Sequence, residues 1–223
     1  MINHHPSAEL LFDYAAGSLP EGPALAVASH LSYCGACRAD VRRLEALGGA
    51  MLDHVDPFDC PVAGDEARLL DQTLARLDEP IPSVPVETAV LDDETRRVVP
   101  SPLRRYVGGR LSDLRWRRYG RRIAEARLPL SGSGFSASLL RVQAGTVMPK
   151  HGHKGEEYTT VLAGGYSDGG VAFGRGDFDA KEAGDDHRPV ADPDGECICL
   201  IILDAPVKLT GPGGRLIEPF LRT

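Results

Sequence analysis

Two groups of metal-binding residue types lie far apart in this chain: His30, Cys34 and Cys37 near the N-terminus, and His151, His153 and Glu157 in a glycine-rich stretch. The first group is rich in sulfur, the ligand class of structural zinc. The second offers imidazole and carboxylate, the class of an exchangeable or catalytic divalent ion. Helical residues four apart share a face, so the spacing His30-x3-Cys34-x2-Cys37 lets all three side chains reach one ion, with Cys37 joining a turn later. Structural zinc takes four ligands. The upstream candidates for the fourth are His4 and His5. His5 is the better placed, because it adjoins the Ser7 start of the first expected helix and can fold back onto the second.

Along a strand, residues two apart point to one side. His151 and His153 therefore face a common interior, and a turn at Lys154-Gly155 returns Glu157 to the same ion. A facing strand has to supply the fourth ligand, and His187 is the histidine left downstream. Three histidines and one glutamate suit zinc, iron, manganese or nickel. Open sites of this kind also serve dioxygenases and isomerases, so a metalloenzyme with a helical zinc-binding regulatory domain stays open.

The elements that must carry these groups change class along the chain. From Ser7 to about Val55 the pattern is helical: Leu10, Leu11 and Tyr14 recur at helical spacing, and good helix formers run from Ala24 to Ala28 into the His30 region. Gly17 to Pro23 separates the first two helices. Val41, Leu44, Leu47 and Met51 mark a third, which Gly48-Gly49 should fray or bend. A fourth is expected over Asp65–Leu77, with Asp65 as its cap and Ala67, Leu70, Leu74 and Leu77 as its apolar stripe. Pro80, Pro82, Pro85, Pro100 and Pro102 then read as an extended linker over 81–102. Beyond it, the short apolar or alternating runs Ala137–Val142, Glu157–Leu162, Cys197–Leu203 and Val207–Leu209, separated by Gly, Pro and Asp, have the spacing of an all-β barrel or sandwich.

Charge follows the same division. Residues 1–78 hold 5 basic and 12 acidic side chains, whereas the remainder holds 20 of each, so the whole net charge of −7 belongs to the first part. An acidic domain repels nucleic acid and suits either a basic protein partner or plain solubility. The N-terminus lacks the basic stretch and apolar core of a secretory signal, which points to the cytoplasm, and no run is apolar enough for a membrane span. In that compartment five cysteines read as ligands or free thiols rather than disulfides. Cys197 and Cys199 share a strand face, as core thiols or as a redox pair. Arg104 to Arg122 contains eight arginines against one acid, with Trp116 and Tyr119 interleaved. That stretch suits nucleic acid, a solvated strand face, or contact with the acidic domain. Cys60 and His54 read as structural.

The upstream histidine, the His30-x3-Cys34-x2-Cys37 spacing at a helix junction of an acidic four-helix domain, and the preceding His5-Pro-Ser-Ala-Glu-Leu-Leu-Phe-Asp-Tyr-Ala-Ala-Gly resemble the zinc-containing anti-sigma family of the ChrR type. Gly145-x5-His151-x-His153-x3-Glu157-x6-Gly164 resembles the first cupin motif, and Gly174 to His187 a weakened second one, in which Gly-Arg-Gly replaces the usual Pro-x-Gly. The resemblance spans nearly the whole chain. It implies two domains: an all-α four-helix zinc-binding anti-sigma domain over 1–80 and an all-β cupin barrel over 103–223. It further implies two zinc ions per chain, one on His5, His30, Cys34 and Cys37 and one on His151, His153, Glu157 and His187. The implied protein is not an enzyme. It is a cytoplasmic anti-sigma factor that binds an extracytoplasmic-function (group IV) sigma factor, with the fourth helix completing the contact, and frees it on a stress signal, with oxidation as the pointer. Neither nucleic acid nor membrane is a direct partner in that picture, and the oligomeric state is open.

Overall fold

The computed structural model describes residues 2–55, 66–79, 91–132 and 134–210. The expected Asp65 cap, Cys60 and the first part of the expected linker, residues 81–90, lie outside these residues. Helix α1 (Ala8–Ala15) starts on Ser7, whose hydroxyl accepts the Leu10 N–H at 3.1 Å, the bond that a serine N-cap supplies. Helix α2 (Glu21–Leu31) is apolar almost all round, with Leu25, Ala26, Val27 and Leu31 buried, and a helix of that kind has to be covered on more than one face. Helix α3 (Gly35–Leu52) begins on Cys34 and runs through Gly48-Gly49 without a break, contrary to the expected fraying. Helix α4 (Glu66–Ala75) falls inside the expected fourth helix and continues into a 3-10 turn, Arg76–Asp78.

Two further helices arise where an extended linker was expected: α5 (Asp93–Val98) and α6 (Ser101–Val107). The described helices therefore number six rather than four. The physical reason is that aspartate and proline start helices as readily as they mark extended chain. Asp92 is a helix cap, accepting the Thr95 N–H at 2.8 Å, and Pro100 and Pro102 sit at the start of α6, where the first N–H groups have no intrahelical partner to lose. Val99, Leu103 and Leu111 are fully buried, so this segment is part of the core.

The second half is all β. A six-stranded antiparallel sheet has the order β1 (Arg117–Tyr119), β2 (Ile123–Leu128), β3 (Ser136–Val142), β11 (Cys197–Leu203), β5 (Glu157–Ala163), β8 (Phe178–Lys181). Two three-stranded sheets accompany it. One orders β10 (Val190–Ala191), β6 (Gly165–Asp168) and β7 (Val171–Gly174), and the other β12 (Lys208–Leu209), β4 (His151–Gly152) and β9 (Asp186–His187). The expected single closed barrel is thus three separate sheets. Very short strands and tight glycine turns interrupt the ladders that closure would need. At Gly164, between β5 and β6, φ is +65° and an added Cβ would lie 2.3 Å from the Glu196 carbonyl oxygen, so this bend admits only glycine.

The central strand β11 explains how the halves meet. Its run Cys-Ile-Cys-Leu-Ile-Ile-Leu is apolar on both faces. Ile198, Leu200 and Ile202 belong to the cluster that includes Leu25, Val27 and Leu103 of the helices, whereas Cys197 and Cys199 face an inner cluster with Val161, Tyr166 and Phe173. Helix α2 lies against β5, β11 and α6. Each fully buried leucine or isoleucine of this layer contributes about 1.5–3 kcal/mol. Among the described residues no helix is long and apolar enough to cross a membrane.

Candidate metal centres

His30 stands in the last turn of α2, Cys34 caps α3 and Cys37 lies in its first turn, so the tight α2–α3 junction is what brings the three together. His5 comes from the extended arm before α1. The donor atoms of His5, His30, Cys34 and Cys37 all lie within 4.8 Å of one another. His30 Nε2 is 3.3 Å from Cys37 Sγ, and His5 Nδ1 is 3.4 Å from Cys34 Sγ and 3.3 Å from Cys37 Sγ. Ligands at zinc bond lengths around a tetrahedral ion stand about 3.5 Å apart, so these four donors fit structural zinc. His5 is exposed and the other three are buried. Burial holds His30 down to about 4, so the ring is neutral and can offer a lone pair, and pushes the Cys37 thiol up to about 12. Binding of a metal has to displace that thiol proton.

His4, the other upstream candidate, points elsewhere. Its Nε2 is 3.0 Å from the Ala172 carbonyl oxygen, and its ring packs on Phe173. The arm is held by the sheet half of the molecule: the Asp177 carboxylate accepts the Asn3 and His4 N–H groups at 2.7 and 3.1 Å, and Phe178 N–H donates to the His4 carbonyl at 3.1 Å. Burial raises the Asp177 carboxyl, but the three N–H groups of Gly174, Asn3 and His4 outweigh it and hold the acid below its ordinary value. His30 Nδ1 donates to the Gly176 carbonyl oxygen at 2.7 Å, which leaves Nε2 free to face Cys37.

In the second centre His151 of β4 and His187 of β9 are direct cross-strand partners, and His153 follows β4. Their Nε2 atoms converge: His187 Nε2 is 2.8 Å from His151 Nε2 and 3.0 Å from His153 Nε2. The outer ring nitrogens are occupied, His151 Nδ1 by the Pro149 carbonyl and His187 Nδ1 by the Asp168 carboxylate, each at 2.9 Å. Two rings that donate through Nδ1 turn lone pairs toward one another through Nε2, an arrangement that suits a shared cation. Burial lowers the protonation range of both His151 and His153, the latter to about 4.

Glu157 is not part of this trio. It is buried behind His153, with Oε2 3.7 Å from His153 Nδ1 and Oε1 accepting the Thr159 hydroxyl at 3.1 Å. Burial pushes its carboxyl up to about 7. The residues that the sequence did not single out are the outer partners. Asp168 orients His187, and the Lys181 ammonium lies 3.3 Å from Asp168 and 3.0 Å from Asp179. Asp179 in turn accepts the Tyr166 hydroxyl at 2.9 Å. None of these stands at a motif position, so only their proximity identifies them. An open polar cavity of about 510 Å³ adjoins the centre, lined by Lys150, Asp168, Lys181, Asp186, His187 and Arg188.

Cys197 and Cys199 lie inside the sheet half with their sulfurs 3.5 Å apart, both buried. Their mutual hydrogen bond and burial keep the Cys199 thiol well above its ordinary range. Arginines of the 104–122 stretch make local contacts: Arg105 stacks on Tyr106, Arg110 pairs with Asp113, and Arg117 lies over the Tyr119 ring. His54 Nδ1 is bonded to the Ala50 carbonyl oxygen at the end of α3.

Residues 106–205 match the ChrR cupin-like domain, and residues 7–38 match a zinc-finger family. Over 221 residues, 99% of both chains, the sequence is 40% identical to the anti-sigma-E factor ChrR of Cereibacter sphaeroides. The chain belongs to the ChrR family of anti-sigma factors. The crystal structure of Rhodobacter sphaeroides SigE in complex with the anti-sigma ChrR is matched with a TM-score of 0.76 and 38% identity, covering 91% of this chain and 100% of that one. A cupin of Ralstonia eutropha is matched at a TM-score of 0.39 and 20% identity over 44% of this chain and 67% of that chain, too distant to bear on function. The zinc-finger match includes His30, Cys34 and Cys37, and the cupin-like match includes His151, His153, Glu157 and His187.

Proposed function

We propose that this chain is a zinc-binding cytoplasmic anti-sigma factor, which keeps an extracytoplasmic-function sigma factor from RNA polymerase and frees it when the cupin-like half receives a stress signal, oxidation being the leading class. The observation that carries this reading is the full-length likeness to an anti-sigma factor, 40% identical over 99% of both chains. We place the sigma clamp in residues 1–80 and the sensing unit in 103–223, with 81–102 as the connection. No reaction is assigned to the cupin-like half, since the full-length likeness is to a regulator.

The clamp reading is supported by apolar side chains left in water. Leu47, Met51 and Leu52 at the end of α3, and Leu69, Leu70, Leu74 and Leu77 of α4 and its 3-10 turn, are all at least half exposed. Apolar helix faces of this kind mark a protein-binding surface. The acidic charge of the same region suits a basic partner. Two zinc ions per chain complete the reading, one on His5, His30, Cys34 and Cys37, the other on His151, His153 and His187 with the adjacent Glu157. Zinc at the first centre, when bound, cross-links the N-terminal arm, α2 and α3. At the second, the chain's own residues orient three imidazoles beside an open polar cavity, which suits a centre that responds to a signal. A signal there frees sigma only by changing the free energy of the clamped state.

The test is co-expression with an extracytoplasmic-function sigma factor of the same organism, followed by co-purification, metal analysis and transcription with core polymerase. A stable complex that blocks sigma-dependent transcription is the expected result. Independent behaviour of the two proteins, with full transcription in the presence of zinc-loaded chain, would sink the reading.

A further inference from the structure

The first metal centre is not built by the helical half alone. Its His5 sits on the extended arm before α1, which has to be held in place, and its His30 has an outer nitrogen that a buried ring must satisfy. Both needs are met by one turn between β7 and β8. The Gly176 carbonyl accepts from His30 Nδ1 at 2.7 Å, and Asp177 accepts the N–H groups of Asn3 and His4, immediately before His5. Close approach of the backbone is required for this. Gly176 has φ +91°, and an added Cβ would lie 2.8 Å from Tyr33 Cβ and 2.9 Å from Ile2 Cδ1. Gly176 N–H donates to the Val161 carbonyl at 2.8 Å, and the second Asp177 oxygen accepts Gly174 N–H at 2.8 Å, so the turn is itself rigidly braced.

Accepting that His5, His30, Cys34 and Cys37 hold zinc, we infer that the cupin-like turn Gly174–Asp177 supplies the outer shell of that zinc: Gly176 sets the tautomer and orientation of His30, and Asp177 positions His5 through the arm. Outer partners of this type typically change metal affinity 10- to 100-fold. The consequence is that retention of the clamp zinc depends on the half of the molecule that does not carry its ligands.

Asp177→Ala removes the acceptor from the arm, whereas Asp177→Asn keeps one oxygen to face it. The full chain is loaded with cobalt, whose thiolate charge-transfer band reports the first centre, because the ligands proposed for the second contain no sulfur. Zinc competition against a chromophoric chelator is then measured in the same three proteins. The expected result is a shifted band and about 10-fold or greater loss of zinc affinity at the first centre in D177A, a smaller loss in D177N, and unchanged metal at the second centre. D177N carries the test if D177A does not fold. Identical bands and affinities in wild type and variants would overturn the inference. A wild type with no thiolate band would instead remove the zinc reading on which it rests.

Discussion

The Thr160 hydroxyl donates to the Ala26 carbonyl oxygen across 3.1 Å, tying the strand that carries Glu157 to the middle of helix α2. Thr160 and Ala26 are both fully buried. On β5 the neighbouring side chains alternate, so Glu157 and Thr159 belong to the interior beside the second centre while Thr160 and Leu162 face the helices. The two halves are joined through one core, and predictions about either must take account of the other.

Cys34→Ser and Cys37→Ser should each lose the first zinc and sigma binding with it. A helical unit of this size has a limited core, and the ion joins three of its segments. Metal content and a sigma pull-down of each variant check this; wild-type inhibition by either variant would remove zinc from the clamp.

A fragment ending at residue 79 keeps the first four ligands and the exposed leucines of α3 and α4, so it should still bind sigma when zinc is supplied in excess. It also uncovers the face of α2 that the sheet buries, including the environment of Ala26 and Val27. The fragment is therefore expected to melt below the full chain and to bind an apolar dye. Failure to bind sigma under conditions where it remains helical would locate sigma contacts beyond residue 79.

His151→Ala combined with Glu157→Ala should reduce the metal content from about two ions per chain to about one, leave sigma bound, and lock the complex against the inducing signal. Metal analysis of the purified complex and reporter transcription under stress decide it. Constitutive sigma activity would make the second centre part of the clamp.

Glu21 adds a pH dependence. Its carboxylate accepts from Gly132 N–H at 2.9 Å, the Tyr106 hydroxyl at 2.9 Å and Ser131 N–H at 2.6 Å, bridging α2, α6 and the β2–β3 connection. These bonds, the Gly132 one first, hold the acid below its ordinary value. A carboxyl depressed in the folded state stabilises the fold above its unfolded value, about 4.3, and that contribution is lost as pH falls through the folded value. Glu21→Gln should therefore melt below wild type at neutral pH, with the two curves converging in acid, below about pH 4. A gap that stays constant across that range would show that the loss is steric.

What was legible in the sequence is what short-range geometry determines. His30-x3-Cys34-x2-Cys37 needs only a helix turn and a cap, and Ser7 announces its own helix, so three of the first centre's four candidate ligands and the order of α1 to α3 follow from local spacing. The alternation of β5 and the continuous apolar run of β11 are equally local, and His151-x-His153 is a strand repeat. Tertiary structure alone decided the rest. Asp92, Pro100 and Pro102 are as compatible with an extended linker as with helix starts until Val99, Leu103 and Leu111 find a core to enter. His187 meets His151 because β4 and β9 pair, and Glu157 approaches the trio through His153, 3.7 Å from its Nδ1. The Gly176 carbonyl on His30 leaves no side-chain signature at all, since every residue carries the same backbone oxygen and only folding determines which one approaches.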